Sequence, residues 1–276
     1  RGLPDRPGPV ARGLVPAGQA RRLPGAGGAP RKNKRKEGWH MGLQGPVKGI
    51  FFDLGWTLIA PQSGDWMFSA FAQGAFPPGK LAALPQERVV AARKAGMEYL
   101  DTHHLLSTME EEYALFHQYY TMLAEALPEL GVSGQDIRAV AEDKVYNKGN
   151  YTIFPDALPT LRALRGRYKL GVISDTWPSI VPVLEDFGLL PYFDCITFSY
   201  ELGVYKPHPR MYADALSKMG LPPEQAVFVD DFTGNLEGAQ RAGIQPVLIQ
   251  AKPGPDDTQE MVKVGRVSGL LEVLPR

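Results

Sequence analysis

Four separated stretches of this chain each run out of apolar residues onto a side chain that can do chemistry. The first is 47–52, which stops at Asp53. The second is Gly171-Val172-Ile173-Ser174-Asp175-Thr176. The third is Glu201-Leu202-Gly203-Val204-Tyr205-Lys206-Pro207-His208-Pro209, and the fourth is Val227-Phe228-Val229-Asp230-Asp231 followed by Phe232-Thr233-Gly234-Asn235. A carboxylate such as Asp53 can attack phosphorus and split one hard displacement into two easier ones. An anionic nucleophile is repelled by phosphate oxygens, so cations and hydrogen-bond donors must accompany it. Lys206 offers a point charge and Ser174 a hydroxyl. Mg²⁺ takes oxygen ligands and keeps several waters, so one or two carboxylates and a carbonyl suffice, and Asp53 and Asp230 can supply the carboxylates. Asp231 has two readings that stay open, a ligand to the same cation or a cap on the following turn.

These residues need a frame that brings them together. Short runs rich in Val, Ile and Phe predict strands at 49–53, 169–174, 194–198, 226–230 and 245–250, each covered on both faces. Helical segments at 177–187, 209–219 and 235–242 separate the later four. The alternation predicts an α/β fold: a Rossmann-like parallel sheet with right-handed crossovers. In such a sheet a residue at the carboxyl end of a strand stands where ligands bind. Val262-Lys263-Val264 predicts a short edge strand, and 268–274 a last helix.

Residues 61–150 interrupt this pattern between the first and second strands and read as helix throughout. Helices are expected at 65–75, 86–100, 110–127 and 133–146, with a capping box at Ser107 and Glu110. The expected division is therefore a core of 41–60 and 151–276 and a helical bundle of 61–150. Residues 1–40 are rich in Gly, Pro, Arg and Ala without apolar periodicity. They read as a disordered basic leader that lies outside the fold, and a non-native origin is part of that expectation.

Composition narrows the function classes. The 276 residues are 44% hydrophobic and 22% charged, with a formal net charge of zero. That zero hides an asymmetry: residues 1–40 hold ten Lys/Arg against Asp5 and Glu37, leaving 20 basic and 28 acidic side chains in the remainder. An acidic body argues against nucleic acid as a partner. No apolar run approaches the length of a membrane span, and no membrane partner is expected. The single cysteine, Cys195, excludes an intramolecular disulfide and reads as a small buried hydrophobe. A cytoplasmic setting is expected, and the sequence gives no oligomeric state.

The order Asp53, Ser174, Lys206-Pro207-x-Pro209, and Val229-Asp230-Asp231 with Asn235, Gly238 and Ala239 resembles the haloacid dehalogenase-like hydrolase superfamily, most of whose members are phosphatases. The resemblance spans 47–274. It implies Asp53 as nucleophile and metal ligand, the carbonyl of Gly55 as a backbone ligand to Mg²⁺, Ser174 and Lys206 as phosphate binders, and Asp230 as a metal ligand. It also implies that the helical insert is a cap that closes over the site and selects a small phosphorylated substrate. Three departures stand out. The superfamily's phosphatases usually carry an Asp two residues after the nucleophile, to protonate the leaving oxygen and activate water; here the position is Gly55. Trp56 stands where Gly is usual, which implies a rebuilt loop. Asn235 replaces a common acid, and its amide is expected to hold a metal-bound water.

The leading expectation is a Mg²⁺-dependent phosphatase, slowed by the missing acid/base, since such a group is worth about 10²–10⁴ in rate. Two alternatives remain: a metal-independent haloacid dehalogenase, and a non-catalytic phosphometabolite-binding or regulatory module. Other residues have plainer readings. Asp175 is expected to cap the next helix, His208 to lie in a loop, and His103-His104 to form a solvated helix end. Tyr113, Phe116, Tyr119 and Tyr120 are expected in the bundle core. Trp56 and Trp66 are expected at the pocket mouth, with Trp56 touching substrate.

Overall fold

A computed structural model describes residues 42–250 and 261–275; the expected leader lies outside these. The chain begins with β1 (Gly49–Phe52) and β2 (Ile59–Pro61). Five helices follow: α1 (Ala72–Ala75), α2 (Pro78–Ala83), α3 (Gln86–Thr102), α4 (Met109–Ala126) and α5 (Gly134–Tyr146). Next come β3 (Tyr151–Ile153), α6 (Ala157–Leu164), β4 (Lys169–Ser174), α7 (Ile180–Asp186), β5 (Cys195–Phe198), α8 (Ser199–Leu202) and α9 (Pro209–Met219). The chain ends with β6 (Ala226–Asp230), α10 (Thr233–Arg241), β7 (Gln245–Ile249), β8 (Val262–Val264) and α11 (Leu270–Val273).

The main sheet has the order β5-β4-β1-β6-β7-β8, with every neighbouring pair parallel. β1 is central and all four of its residues are buried. Its side chains alternate between two cores: Ile50 and Phe52 join Val172, Val227 and Val229 on one face, while Phe51 joins Ile173 and Phe228 on the other. Two buried faces explain why these strands read as continuous apolar runs. After β5 the chain crosses back over β4 and β1 to start β6. The point where the strand order reverses therefore lies beside β1, the position at which open α/β sheets bind ligands.

β2 and β3 form a separate antiparallel pair with Pro61 opposite Tyr151. This brings together the two ends of the helical insert. The insert has its own apolar cluster, built on Phe76, Phe116, Tyr119, Tyr120 and Leu123 among others. As expected, Phe116, Tyr119 and Tyr120 are buried; Tyr113 packs at the cluster's margin. The capping box starting α4 lies one residue later than expected. Thr108 Oγ1 accepts from Glu111 N, and the Glu111 carboxylate accepts from Thr108 N. Ser107 N also donates to Glu111, so the Glu at the third helical position, not Glu110, closes the box. A helix over 65–75 does not form; only Ala72–Ala75 is helical. Asp65 instead accepts from the backbone of Met67 and Phe68, a local bond that competes with a helical start. α2 opens on Pro78, which suits a first helical turn despite reading as a breaker.

Gly96 marks the tightest approach between α3 and α4. A Cβ there would lie 2.7 Å from Tyr119 Cε2 and 2.8 Å from Cδ2. Alanine gains about 1 kcal/mol in helix propensity, but overpacking costs about 1–3 kcal/mol, and Tyr119 is fully enclosed. Gly96→Ala is expected to destabilise the protein by about 1 kcal/mol, read as a lower urea midpoint; an unchanged or higher midpoint would show that the two helices separate freely.

Candidate functional site

Strand register assembles the site. Phe52 stands opposite Val172 of β4 and Val229 of β6. One step further along, Asp53 therefore falls beside Ile173 and Asp230, and Asp53 N donates to Val229 O at 2.9 Å. Ser174 ends β4 at the same edge, and Lys206 enters from the loop after β5. Asp53, Ser174, Lys206 and Asp230 are all at most 3% exposed.

Lys206 is the hub. Its Nζ donates to Asp53 Oδ1 at 2.5 Å, to Asp230 Oδ2 at 2.8 Å and to Ile173 O at 3.1 Å. Those three acceptors match the three donors of an ammonium. Asp230 is held from three sides: besides Lys206 it accepts from Phe232 N at 2.8 Å and from Asn235 Nδ2 at 2.7 Å. Asn235 is fully buried and its carbonyl accepts from Tyr212 Oη at 2.7 Å. The Asn235 amide therefore orients Asp230.

Carboxylate oxygens of Asp53, Asp230 and Asp231 lie within 4.8 Å of one another. Three carboxylates facing one ammonium leave an excess of negative charge in a nearly closed site, and all the donors are hard oxygens. That set fits Mg²⁺, which takes few protein carboxylates and retains waters.

The loop after Asp53 curls around one carbonyl: Leu54 O accepts from Thr57, Leu58 and Ile59 N. Trp56 has φ +56°, the left-handed conformation that suits glycine and costs other residues about 1–2 kcal/mol. Trp56 takes on a backbone conformation that suits glycine. Its ring meets Trp66 edge-on at 6.2 Å, a contact of the kind worth about 0.5–1.5 kcal/mol. Trp66 also covers Gly55: a Cβ on Gly55 would lie 3.0 Å from Trp66 Cζ2. The space next to the absent acid is filled by an indole.

A layer of buried polar groups backs the loops after β4 and β5. Asp175 does not cap α7; its Oδ1 accepts from Lys206 N at 2.8 Å and ties the loop after β4 to the loop after β5. His208 caps α9, its Nδ1 accepting from Arg210 N. His103 is exposed as expected, but His104 is not: it is 1% exposed and bonds Ser199 Oγ through Nε2 at 2.7 Å. Burial pushes its pKa down to about 3. Glu112 of α4 is fully buried and accepts from both Ser179 N and Ser179 Oγ at 2.6 Å. Burial raises its pKa, opposed by those bonds and by the Lys144 ammonium. Lys144 lies over the rings of Phe116, Trp177 and Tyr151, its Nζ bonding Tyr151 Oη at 3.2 Å. The burial of these residues leaves little local signal, because a buried His or Glu on a polar helix end is indistinguishable from a solvated one. Cys195 behaves as expected: it is buried, and its thiol is pushed up to about 11.

Comparison with known proteins is consistent with this geometry. The family described as haloacid dehalogenase-like hydrolase matches residues 47–243. A glyceraldehyde 3-phosphate phosphatase of Methanopyrus kandleri is 28% identical over 250 residues, covering 83% of this chain and 97% of its own. A phosphoserine phosphatase of Thermus thermophilus is 31% identical over 152 residues, 54% of this chain and 61% of its own. Among solved structures, a 2-haloacid dehalogenase from Pseudomonas syringae shares the fold with a TM-score of 0.56 at 23% identity, covering 82% of this chain and 97% of its own. Among the described residues no helix is long and apolar enough to cross a membrane.

Two outcomes test the electrostatics. Lys206→Met removes the ammonium and leaves Asp53 and Asp230 buried together, so stability should fall by about 3–5 kcal/mol. Mg²⁺ should then raise the melting temperature more in this variant than in the parent; equal responses would place the cation elsewhere. His104 is uncharged when folded and takes up a proton near pH 6.5 once unfolded. Below that pH the unfolded state binds more protons, and stability falls as pH drops, by at most about 1.4 kcal/mol per pH unit from this group. His104→Gln cannot titrate. The stability lost between pH 6.5 and 4.5 in denaturant melts should be smaller in His104→Gln than in the parent.

Proposed function

The chain belongs to the haloacid dehalogenase-like hydrolases, and from that premise we propose that it is a Mg²⁺-dependent phosphatase acting on a small phosphorylated metabolite through an aspartyl-phosphate on Asp53. One observation carries the reading: a buried carboxylate at the carboxyl end of the central strand meets, within one cluster, two further carboxylates and a lysine. The phosphatases among its relatives support phosphate esters as the substrate class. A cytoplasmic setting, where such metabolites are handled, belongs to the same proposal.

In the first step a carboxylate oxygen of Asp53 attacks phosphorus, the phosphorus–ester oxygen bond breaks, and the alcohol leaves with a proton taken from solvent. In the second step water attacks phosphorus, its proton passes to solvent, the bond to Asp53 breaks, and inorganic phosphate departs with the carboxylate restored. Asp53, Asp230 and Asp231 would hold Mg²⁺, with the carbonyl of Gly55 as a further ligand. The ion would supply neutralisation of phosphoryl charge. Lys206 moves one of its donors to a phosphoryl oxygen when substrate enters, and Ser174 offers its hydroxyl to another. Trp56 lines the entrance, and the helical insert between β2 and β3 acts as the cap. With Gly55 in place of an acid, nothing on this loop delivers a proton to the leaving oxygen. Esters of acidic alcohols should therefore turn over faster than alkyl esters.

The test is hydrolysis of an aryl phosphate by the purified protein with Mg²⁺ or with chelator. Turnover is expected only with Mg²⁺, and Asp53→Asn should remove it. Absence of turnover, or equal turnover by Asp53→Asn, would be fatal to the reading. Halide release from a 2-haloacid that persists in chelator would replace it with the dehalogenase reading, and phosphometabolite binding without product with the regulatory one.

A further inference from the structure

We propose that His104, in the connection between α3 and α4, is a positioning residue that sets the two loops carrying Ser174 and Lys206. The imidazole grips both. Through Nε2 it bonds Ser199 Oγ at 2.7 Å. Ser199 Oγ in turn accepts from Thr176 N at 2.8 Å and lies 3.2 Å from Thr176 O, two residues beyond Ser174. With the Ser199 proton on Thr176 O, the Nε2–H form of the imidazole completes the set as donor to Ser199. Through its face the same ring stacks on Tyr205, centroids 3.8 Å apart and planes 22° from parallel. Tyr205 immediately precedes Lys206, and its hydroxyl bonds the carboxylate of Asp101 at the end of α3.

The two loops are already joined by Asp175, which accepts from Lys206 N. His104 closes that join from the side of the helical insert. A group whose work was only to fill space would not need a polar ring here, because Nδ1 is buried without a partner. What the ring supplies is aimed at Ser199 and Tyr205. The helical insert thereby shares in fixing where the Lys206 ammonium stands between Asp53 and Asp230. The kinetic part of this inference rests on the phosphatase reading; the geometric part does not.

The experiment follows the Lys206 side chain by NMR in protein carrying ¹³C,¹⁵N-lysine, the signal being assigned with Lys206→Arg. His104→Ala is expected to move the Lys206 signal and to lower kcat on an aryl phosphate by about 10- to 100-fold, with KM changed less than about threefold, as for a misplaced reacting group. His104→Gln retains a donor for Ser199 without the ring and should recover part of both. Val140→Ala, which opens the insert's core away from the site, should lower the melting temperature and leave kcat alone. If His104→Ala does not fold, Tyr205→Leu removes the other half of the stack and should move the same signal. An unmoved Lys206 signal with parental kcat in folded His104→Ala, or an equal kcat loss in Val140→Ala, overturns the inference. A parent that hydrolyses no phosphate ester while His104→Ala still moves the signal sinks the phosphatase reading and upholds this one.

Discussion

The ammonium of Lys206 between Asp53 and Asp230 is the contact on which the rest of the structure depends. Neighbouring parallel strands place these two carboxylates side by side, and both are almost wholly removed from water. Two such charges repel each other and lose hydration together, so the arrangement survives only with a cation between them. Lys206 provides it at 2.5 and 2.8 Å. The parallel register, the helices that shield both faces of the sheet and the order reversal beside β1 all serve to bring these three groups to one point. The lysine must therefore reach both carboxylates at once.

That demand explains how much structure is spent on a loop two strands away from β1. Lys206 arrives from beyond β5 and must cross β4, where Ile173 O accepts a hydrogen bond from its ammonium. Asp175 holds its backbone, and Tyr205 beside it is held by His104 and Asp101. A second tie, Glu112 to Ser179, fastens α4 to the stretch after β4. Both ties are buried and polar, and both run from the helical insert to the loops that end at the site. In the arrangement seen, the insert and the site loops form a single bonded unit.

The parts of this protein that were legible beforehand are those governed by repetition. Five of the six main strands stand out because burial on both faces makes each a dense apolar run, and β8 because Val262-Lys263-Val264 alternates. Asp53, Ser174 and Asp230 were legible because each ends such a run, and Lys206 because it opens the Lys206-Pro207-His208-Pro209 segment. β2 and β3 were not, since three residues carry no period and one of them is Pro61. Nor was the failed helix at 65–75, where Asp65 Oδ1 accepts from both Met67 N and Phe68 N and the helix begins only at Ala72. The burial of His104, which reads as part of a solvated helix end, and of Glu112 is illegible for a deeper reason. Their burial comes from contacts with Ser199 and Ser179, 95 and 67 residues away, and no local pattern encodes a partner that distant.

Gly55 ties the chemistry to the packing. A missing side chain might have left a gap open to water, which could stand in for the acid. Instead Trp66 lies over Gly55, and Trp56 accepts an unfavourable backbone to meet it. An indole carries no proton that it can release near neutral pH. On the proposed phosphatase reading, the site favours displacements whose leaving group needs no protonation, which aryl and acyl phosphates satisfy and alkyl phosphates do not. Halide also leaves without a proton, so Gly55 alone would serve a dehalogenase equally well. Charge separates the two. A 2-haloacid brings a carboxylate toward Asp53, Asp230 and Asp231, and one lysine already shared between two of them offsets little of that repulsion. On the proposed reading, a phosphate ester brings still more negative charge but would come together with the divalent cation that the same three carboxylates fit.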